Sequence, residues 1–339
     1  MVFNLSLNKV IGRTLSPFIP KSVGSYPYLV ALSTVEQFAI KIFSRENCQL
    51  WARNSFITDS FKPLISDLDI TVLLREPPSS EQLARFKQIL RKIRLFFPPL
   101  GECNFYIESQ AKRLSRWANP WEIQRDPRLF SWLSAVPAEI SPSAYKCVFI
   151  LRMLENDLEN LYRTPKLRQN KWISHLQAVE APIPDWTNST TIISGIIRSS
   201  LALAQLESDQ AVSLAQKDIE AYFKHQIATG KNPWIPPKKS PSACVFFPHR
   251  FCHRPLSLKI TTQAQGNIVL AQIAWEAWGL ASQYLLNSDK ENMSIYLQNL
   301  HKSLHTFLKP AFLNFKGPEG KLAKTLIEDL IYLESLLRL

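Results

Sequence analysis

Two aspartates, Asp67 and Asp69, stand at the start of the run SDLDITVLL, which mixes β-branched and apolar residues. Such a run predicts a strand over residues 66–74, and strand residues two apart project from the same face. Side-by-side carboxylates repel each other unless a cation lies between them. Mg²⁺ (or Mn²⁺) binds one or two carboxylates and completes its shell with substrate phosphates, so the pair predicts a divalent-cation site.

A polar turn precedes these aspartates in the chain. Residues 49–53 predict a short strand that ends at the turn Asn54-Ser55, and eleven residues then lead to Asp67. Asparagine tolerates the left-handed backbone region better than other non-glycine residues, so this turn can bring backbone amides close to a phosphate. Arg53 is a candidate phosphate ligand beside the turn, and an ordinary exposed arginine is the alternative.

The whole run resembles the signature of the DNA polymerase beta nucleotidyltransferase superfamily. That signature is Gly-Ser, a spacer, Asp-x-Asp or Asp-x-Glu, and a third carboxylate on a later strand. Asn54-Ser55 matches the Gly-Ser position, with Asn54 departing from the family's glycine, and Asp67-Leu68-Asp69 matches the acidic pair. The resemblance covers roughly residues 30–110.

The resemblance implies an activity and a set of ligands. Ser55 and neighbouring backbone amides would hold the β and γ phosphates of a nucleoside triphosphate, ATP being one such donor. Asp67 and Asp69 would bind two metal ions, which stabilise the attacking and leaving oxygens of an in-line displacement. A nucleoside monophosphate would then pass to an acceptor with release of pyrophosphate.

The third carboxylate has two candidates in the predicted strand over residues 101–108. Glu102 opens this strand where the family places its last metal ligand or base, and Glu108 has the same parity. Glu102 is the choice because it lies nearer the expected active-site end, although an ordinary turn glutamate is the alternative. Asn104 shares the face and is a further candidate for contacting metal-bound water or substrate.

Helices must position these strands. Apolar residues at helical spacing predict helices over residues 29–44 and 81–97, and Ser79 or Ser80 can cap the second. From residue 141 onward the β signals disappear, and helices are predicted over 143–162, 190–206, 208–228, 263–286, 293–308 and 320–337. The sequence therefore predicts an α+β protein with an arm (1–28), a nucleotidyltransferase domain (29–140) and a helical substrate-binding domain (141–339).

A proline-rich loop over residues 230–255 interrupts the helical half. Its potential zinc ligands Cys244, His249, Cys252 and His253 lack the spacing of common structural zinc sites, so zinc is not expected. Basic residues such as Lys238 and Lys239 alternate with aromatic residues there, which suits a nucleic-acid backbone and stacked bases. A solvated loop anchored by its aromatic residues is the alternative.

Composition limits the partners. The 339 residues are 46% hydrophobic and carry a net charge of +12, so we expect a folded chain that attracts polyanions. No apolar run is long enough to span a bilayer, no signal peptide is evident, and five scattered cysteines indicate thiols in a reducing, cytoplasmic compartment.

The expected acceptor is RNA, including transfer RNA, because a basic helical domain would repel a polycationic antibiotic. A small-molecule (antibiotic-type) adenylyltransferase and a sugar or lipid-linked phosphate acceptor remain alternatives. The alternative of another class is a catalytically inactive binding module that keeps the fold, which the replacement of glycine by Asn54 favours.

Overall fold

A computed structural model of the chain describes residues 16–58, 61–209, 211–213, 215–217, 263–283 and 318–337. These residues form a mixed α+β protein that is mostly helical around one small sheet. The chain divides into two compact units: the first contains residues up to 137 and the end of a later helix from Trp278, and the second contains most of the helices. The predicted boundary at residues 140/141 falls close to this division.

In the first unit, long helices alternate with the strands of the sheet. A four-residue helix, Lys21–Gly24, leads into α1 (Tyr26–Phe43), β1 (Cys48–Arg53), β2 (Leu68–Leu74), α2 (Ser80–Phe96) and β3 (Leu100–Ile107). Three short helices follow: α3 (Glu108–Leu114), α4 (Pro120–Arg125) and α5 (Pro127–Leu133). The predicted strands and long helices of this region are confirmed to within a few residues. The described part of the predicted arm, residues 16–28, contains the short helix Lys21–Gly24 and the start of α1.

The sheet has the order β1-β2-β3, with β1 antiparallel and β3 parallel to β2. Residues that lie opposite each other across strands share a face, so the pairs Trp51–Thr71 and Thr71–Asn104 define one side of the sheet. The other side is apolar, and its residues join the core with α1 and α2: Leu50, Ala52, Leu68, Ile70, Val72, Leu74, Cys103 and Phe105. One face is therefore dry core and the other carries polar groups.

Local signals fix the ends of α2. Ser79 caps it: its hydroxyl accepts from the backbone N–H of Gln82 at 3.1 Å, and the Gln82 side chain accepts from the N–H of Ser79 at 2.9 Å. This reciprocal capping box satisfies two donors at the helix start. Pro98 and Pro99 follow α2, so the chain turns directly into β3.

The second unit is helical. It contains α6 (Pro142–Arg163), α7 (Pro165–Ala178), α8 (Ser189–Leu203), most of α9 (Gln263–Gln283) and α10 (Pro318–Leu337). Asp157 on α6 joins α6 to α7, because its carboxylate accepts from Arg168 Nε at 2.8 Å and from Trp172 Nε1 at 2.9 Å. The predictions for 143–162, 190–206, 263–286 and 320–337 are confirmed, whereas α7 was not predicted.

Several predictions fall outside the described residues. They concern the basic loop with Lys238 and Lys239, its four potential zinc ligands, the helix over 293–308 and most of the helix over 208–228. Within the described part, no helix is long and apolar enough to cross a membrane. Cys48, Cys103 and Cys147 are buried there.

Candidate functional site

The predicted site residues meet at one end of the sheet. β1 ends at Arg53, which lies opposite Asp69 at the beginning of β2, and β3 begins beside β2 with Leu68 paired to Leu100. Asp67 immediately precedes β2, whose first residue donates its N–H to the carbonyl of Pro99 at 2.7 Å. The turn after β1 and the starts of β2 and β3 therefore share one edge.

Asp69 connects all three strand ends. Its Oδ2 accepts a hydrogen bond from Asn54 Nδ2 at 2.5 Å, and its Oδ1 accepts from the backbone N–H of Glu102 at 2.7 Å. The register of β2 against β3 shifts between Leu68 and Ile70, next to this bond. The N–H of Glu102 therefore bonds to a side chain at the point where the ladder is irregular, and such irregularities are over-represented next to functional sites.

Gly101 brings the two aspartates together. A Cβ at this position would lie 2.4 Å from Asp69 Oδ1 and 3.0 Å from Asp67 Cβ. Both aspartate side chains therefore lie against the same glycine, although Asp67 precedes β2 instead of lying in it as predicted. Only a residue without a side chain leaves room for both.

Asn54 has the backbone that the resemblance implies for a glycine position. Its φ is 60°, in the left-handed region, and it opens the 3₁₀ turn Asn54–Ile57 that contains Ser55. The left-handed conformation costs asparagine less free energy than it costs other non-glycine residues. Its Nδ2 is used on Asp69, while its buried Oδ1 has no hydrogen-bond partner.

Arg53 lies inside the protein rather than at its surface. Only 1% of its side chain is exposed; its Nη2 donates to Glu102 Oε2 at 2.5 Å and its Nη1 lies 4.0 Å from Glu122 Oε2. Burial works against its charge, but the two carboxylates raise its pKa above the ordinary value. Arg53 is thus a fixed cation between two acids, and contact with a phosphate would require it to move.

Glu122 lies in α4 and was not predicted as part of the site. Burial raises its pKa, which Arg125 and Arg53 partly offset, and Glu102 and Asp126 raise it further. A carboxyl group with a raised pKa is the kind of group found at functional sites, though ion-pair networks produce the same shift. The acidic cluster therefore extends beyond Glu102 to α4.

A buried polar network continues along the same face of the sheet. Asp126 accepts from Trp51 Nε1 at 2.8 Å and from the hydroxyl of Thr71, which attaches the start of α5 to β1 and β2. Asn104 donates to the hydroxyl of Tyr106 at 3.1 Å, and its own Oδ1 is buried without a hydrogen-bond partner. Burial raises the pKa of Tyr106, so the phenol stays neutral.

Aromatic side chains hold the loops behind the site. The ring of Tyr28 contacts Phe56, Phe61 and Phe97 with centroids 5.1–5.8 Å apart. Its hydroxyl donates to the carbonyl of Ser66 at 2.9 Å, directly before Asp67. α1 therefore fixes both the turn after β1 and the loop that leads to Asp67.

The structure brings Arg53, Asn54, Asp67, Asp69 and Glu102 together at one edge and places Ser55 in the adjoining turn. Glu108 was expected within the strand over residues 101–108, but it is the first residue of α3, at the far end of β3. The carboxylate of Glu102 pairs with Arg53, and within the described ranges no three acidic, histidine or cysteine side chains are grouped as a metal site. The predicted metal trio stays a prediction.

Sequence signals existed for two residues that were missed. Asn119 and Asp126 each stand before a proline and cap the helix that follows, α4 and α5 respectively. A capping residue followed by proline at the first helical position is typical of a helix start. That pattern predicts both helices, but it cannot show that Asp126 also binds Trp51 and Thr71.

Comparison of the chain with protein-family models, curated proteins and solved structures finds no match.

Proposed function

We propose that the chain is a metal-dependent nucleotidyltransferase that transfers a nucleoside monophosphate from a nucleoside triphosphate to an acceptor. The observation that carries the proposal is the contact of Asp67 and Asp69 with Gly101, at the edge where the Asn54 turn, β2 and β3 meet. A turn, an acidic pair and a third carboxylate at one sheet edge are the arrangement of the polymerase beta-like superfamily.

The residues at this edge fit a divalent cation. Asp67 and Asp69 offer hard carboxylate oxygens, which Mg²⁺ and Mn²⁺ prefer, and Mg²⁺ needs only one or two of them beside substrate phosphates. Each oxygen of Asp69 accepts one hydrogen bond, and an ionised carboxylate has about four acceptor positions, so capacity remains. When bound, the metal would supply Lewis-acid stabilisation of charge on the phosphates.

The chain's own residues would orient the substrate. Ser55 and the amides of the turn Asn54–Ile57 would face the β and γ phosphates. The acceptor hydroxyl would bond to the α-phosphorus as the bond to pyrophosphate breaks, and Glu102 would take the hydroxyl proton. The Glu102 side chain is 32% exposed, so it can reach solvent and substrate from its place beside Asp69.

RNA is the acceptor that charge favours. The chain has 40 lysines and arginines against 28 aspartates and glutamates, and such an excess attracts polyanions and repels polycations. A polycationic antibiotic is the less favoured acceptor for the same reason.

The second candidate function is a binding module that has lost catalysis. The observation that favours it is the pair between Arg53 and Glu102, in which a protein cation neutralises the carboxylate proposed as third acid. Asn54 at the glycine position favours it as well.

Calorimetry separates the two functions. We expect the wild type to bind Mn²⁺ and at least one nucleoside triphosphate, and Asp69→Ala to lose at least about tenfold in affinity, because a metal ligand is removed. Asp67→Asn is the second variant, since it leaves the hydrogen bonds of Asp69 intact. Asp185→Asn, an exposed aspartate in the second unit, is the matched control and should bind as the wild type does.

Transfer itself is measured with labelled triphosphates and a total extract of RNA, protein and metabolites. Label in one fraction with the wild type, absent with Asp67→Asn, supports the enzyme. Metal-dependent nucleotide binding with no label in any fraction supports the module, and no nucleotide binding by the wild type contradicts both.

A further inference from the structure

The solvent side of α2 carries a row of positive charge. The helix contains five basic residues, Arg85, Lys87, Arg91, Lys92 and Arg94, and one acidic residue, Glu81 in its first turn. Arg85, Arg91 and Lys92 are exposed; Arg85 and Lys92 lie seven residues, or about two turns, apart on one face of the helix, and Arg91 adjoins Lys92. We call Arg85, Arg91 and Lys92 the α2 stripe.

Among the described residues, the stripe has no counter-ions. In the part of the chain that the structure describes, none of its three residues takes part in an ion pair, whereas other surface arginines such as Arg198 do. The pKa of Lys87 is lowered by burial and by Arg91 one turn away, with no acidic group opposing the shift. An uncompensated row of cations is a surface that suits a polyanion.

The stripe ends in two exposed apolar side chains. Leu95 is 71% exposed and Phe96 is 89% exposed, while the next residue, Phe97, packs against Tyr28. An aromatic ring in solvent beside basic residues is the combination on which nucleic-acid bases stack. A lone exposed aromatic residue needs no explanation, but this one lies at the end of a cationic row.

The stripe leads to the candidate site. At the N-terminal end of α2, Gln82 Nε2 donates to the carbonyl of Ile42, near the sheet end away from Asp69. At the C-terminal end, Arg94 Nη2 donates to the carbonyl of Gly101 at 2.5 Å, and Gly101 is the residue against which Asp67 and Asp69 lie. Phe96 therefore marks the end of the stripe that adjoins the acidic edge.

We propose that the α2 stripe and Phe96 bind single-stranded RNA and direct one end of it to the edge that holds Asp67 and Asp69. This inference rests on the proposed function, because it names the surface that holds the acceptor. The charges along the helix match a phosphate backbone, and Phe96 matches an unpaired base. A membrane surface is a less suitable partner, because interfacial helices bury a broad apolar face, whereas the exposed apolar side chains beside the stripe are Leu95 and Phe96.

Fluorescence anisotropy with a labelled single-stranded RNA of mixed sequence tests the stripe. In Arg91→Gln with Lys92→Gln, two phosphate contacts are lost, so the slope of log K against log salt should become less negative by about 1.4. The matched control is Lys41→Gln with Arg45→Gln, which removes the same charge from exposed positions near the other end of the sheet. An equal change of slope in both double variants overturns the proposal.

Phe96→Ala tests the stacking step and should not disturb folding, because the side chain is largely in solvent. We expect about tenfold weaker binding of single-stranded RNA and unchanged binding of a blunt duplex, since only unpaired bases stack. Unchanged single-strand affinity overturns the proposal. A second result would also overturn it: the wild type binds phosphatidylserine vesicles but no RNA, and the stripe variant no longer binds the vesicles.

The two proposals fail differently. RNA binding that depends on the stripe, without transfer of label, contradicts the nucleotidyltransferase and leaves the binding surface standing. Transfer to RNA that is unchanged in the stripe variant and in Phe96→Ala overturns the inference about the surface and leaves the enzyme standing.

Discussion

At the scale of single residues, the candidate site depends on two positions, Asn54 and Gly101, at which few residue types fit. Asn54 takes a left-handed backbone at φ 60° and places its amide on Asp69. Gly101 lies against both aspartates, where a Cβ has no room. Asn54 and Gly101 both contact Asp69, and Gly101 can be substituted without changing a proposed metal ligand.

Gly101→Ala should separate the aspartates. The new Cβ would meet Asp69 Oδ1 at 2.4 Å, and that carboxylate is held by Asn54 and by the N–H of Glu102, so the site must shift. We expect a loss of about 1–3 kcal/mol in the free energy of unfolding. We also expect Mn²⁺ affinity, measured by calorimetry, to fall at least about tenfold, because displaced ligands no longer converge.

Gly195→Ala is the matched control for this variant. Its Cβ would lie 2.4 Å from Pro184 Cβ, so the crowding is similar but involves residues of the second unit, which contains no proposed ligand. It should lower stability and leave Mn²⁺ binding unchanged. Equal Mn²⁺ affinity in Gly101→Ala and the wild type would contradict the role given to Gly101.

At the scale of elements, α5 is attached to the polar face of the sheet by one side chain. Asp126 caps α5 by accepting from the N–H of Leu129 at 3.2 Å and also accepts from Trp51 and Thr71. A buried carboxylate that joins two strands and a helix is costly to lose, because each donor would be left without an acceptor. The position of α4, which carries Glu122, follows from this attachment since α4 directly precedes Asp126.

Asp126→Ala should destabilise the first unit strongly. We expect urea unfolding to show a loss of about 3–7 kcal/mol in the free energy of unfolding, the sum of about 1 for a lost cap and about 1–3 for each of two donors left buried without a partner. Asn188→Ala is the control, because the Asn188 side chain caps α8 through the N–H of Thr191 on the surface and contacts no other helix or strand in the described part of the chain through a hydrogen bond. Asn188→Ala should lower the free energy of unfolding by about 1 kcal/mol. Equal losses in the two variants would mean that the bonds to Trp51 and Thr71 contribute nothing.

At the scale of the whole molecule, two acids with opposite pKa shifts make the stability of the chain depend on pH in opposite directions. Burial raises the pKa of Glu122 in the first unit. Burial would also raise the pKa of Asp157 in the second unit, but hydrogen bonds from Arg168, Asn160 and Trp172 hold it below the ordinary value. Stability changes with pH wherever the folded and unfolded states bind different numbers of protons.

The signs follow from these two shifts. The ionised form of Asp157 stabilises the fold above its unfolded pKa of about 3.9, and that stabilisation is lost as pH falls through the folded value. Glu122 favours the fold in its protonated form, so its contribution is fully present below its unfolded pKa of about 4.3 and is lost as pH rises.

Urea unfolding of Asp157→Asn and Glu122→Gln at pH 7 and pH 3 measures both effects. Asp157→Asn should destabilise at pH 7 and much less at pH 3. Glu122→Gln should be neutral or stabilising at pH 7, and that advantage should vanish at pH 3. The same pH trend in both variants would contradict the opposite shifts of the two groups.

The sequence by itself determined the strands and long helices of the first unit and the nearness of Asp67 and Asp69 in the chain. Helical periodicity, the capping box of Ser79 and Gln82, and strand parity are local properties that neighbouring residues set. They predicted both long helices and all three strands of this unit. The helices α3, α4, α5 and α7 were missed because short or weakly amphipathic segments give little periodicity.

Only the tertiary structure decided which groups face one another. The sequence predicts Arg53 to be a phosphate ligand or a surface residue. In the structure it lies buried between Glu102 and Glu122, and its closer partner, Glu102, is 49 positions away along the chain. The bond from the N–H of Glu102 to Asp69 depends on the register shift between β2 and β3. Register and helix docking bring together residues far apart in the chain, and no local pattern encodes those distances.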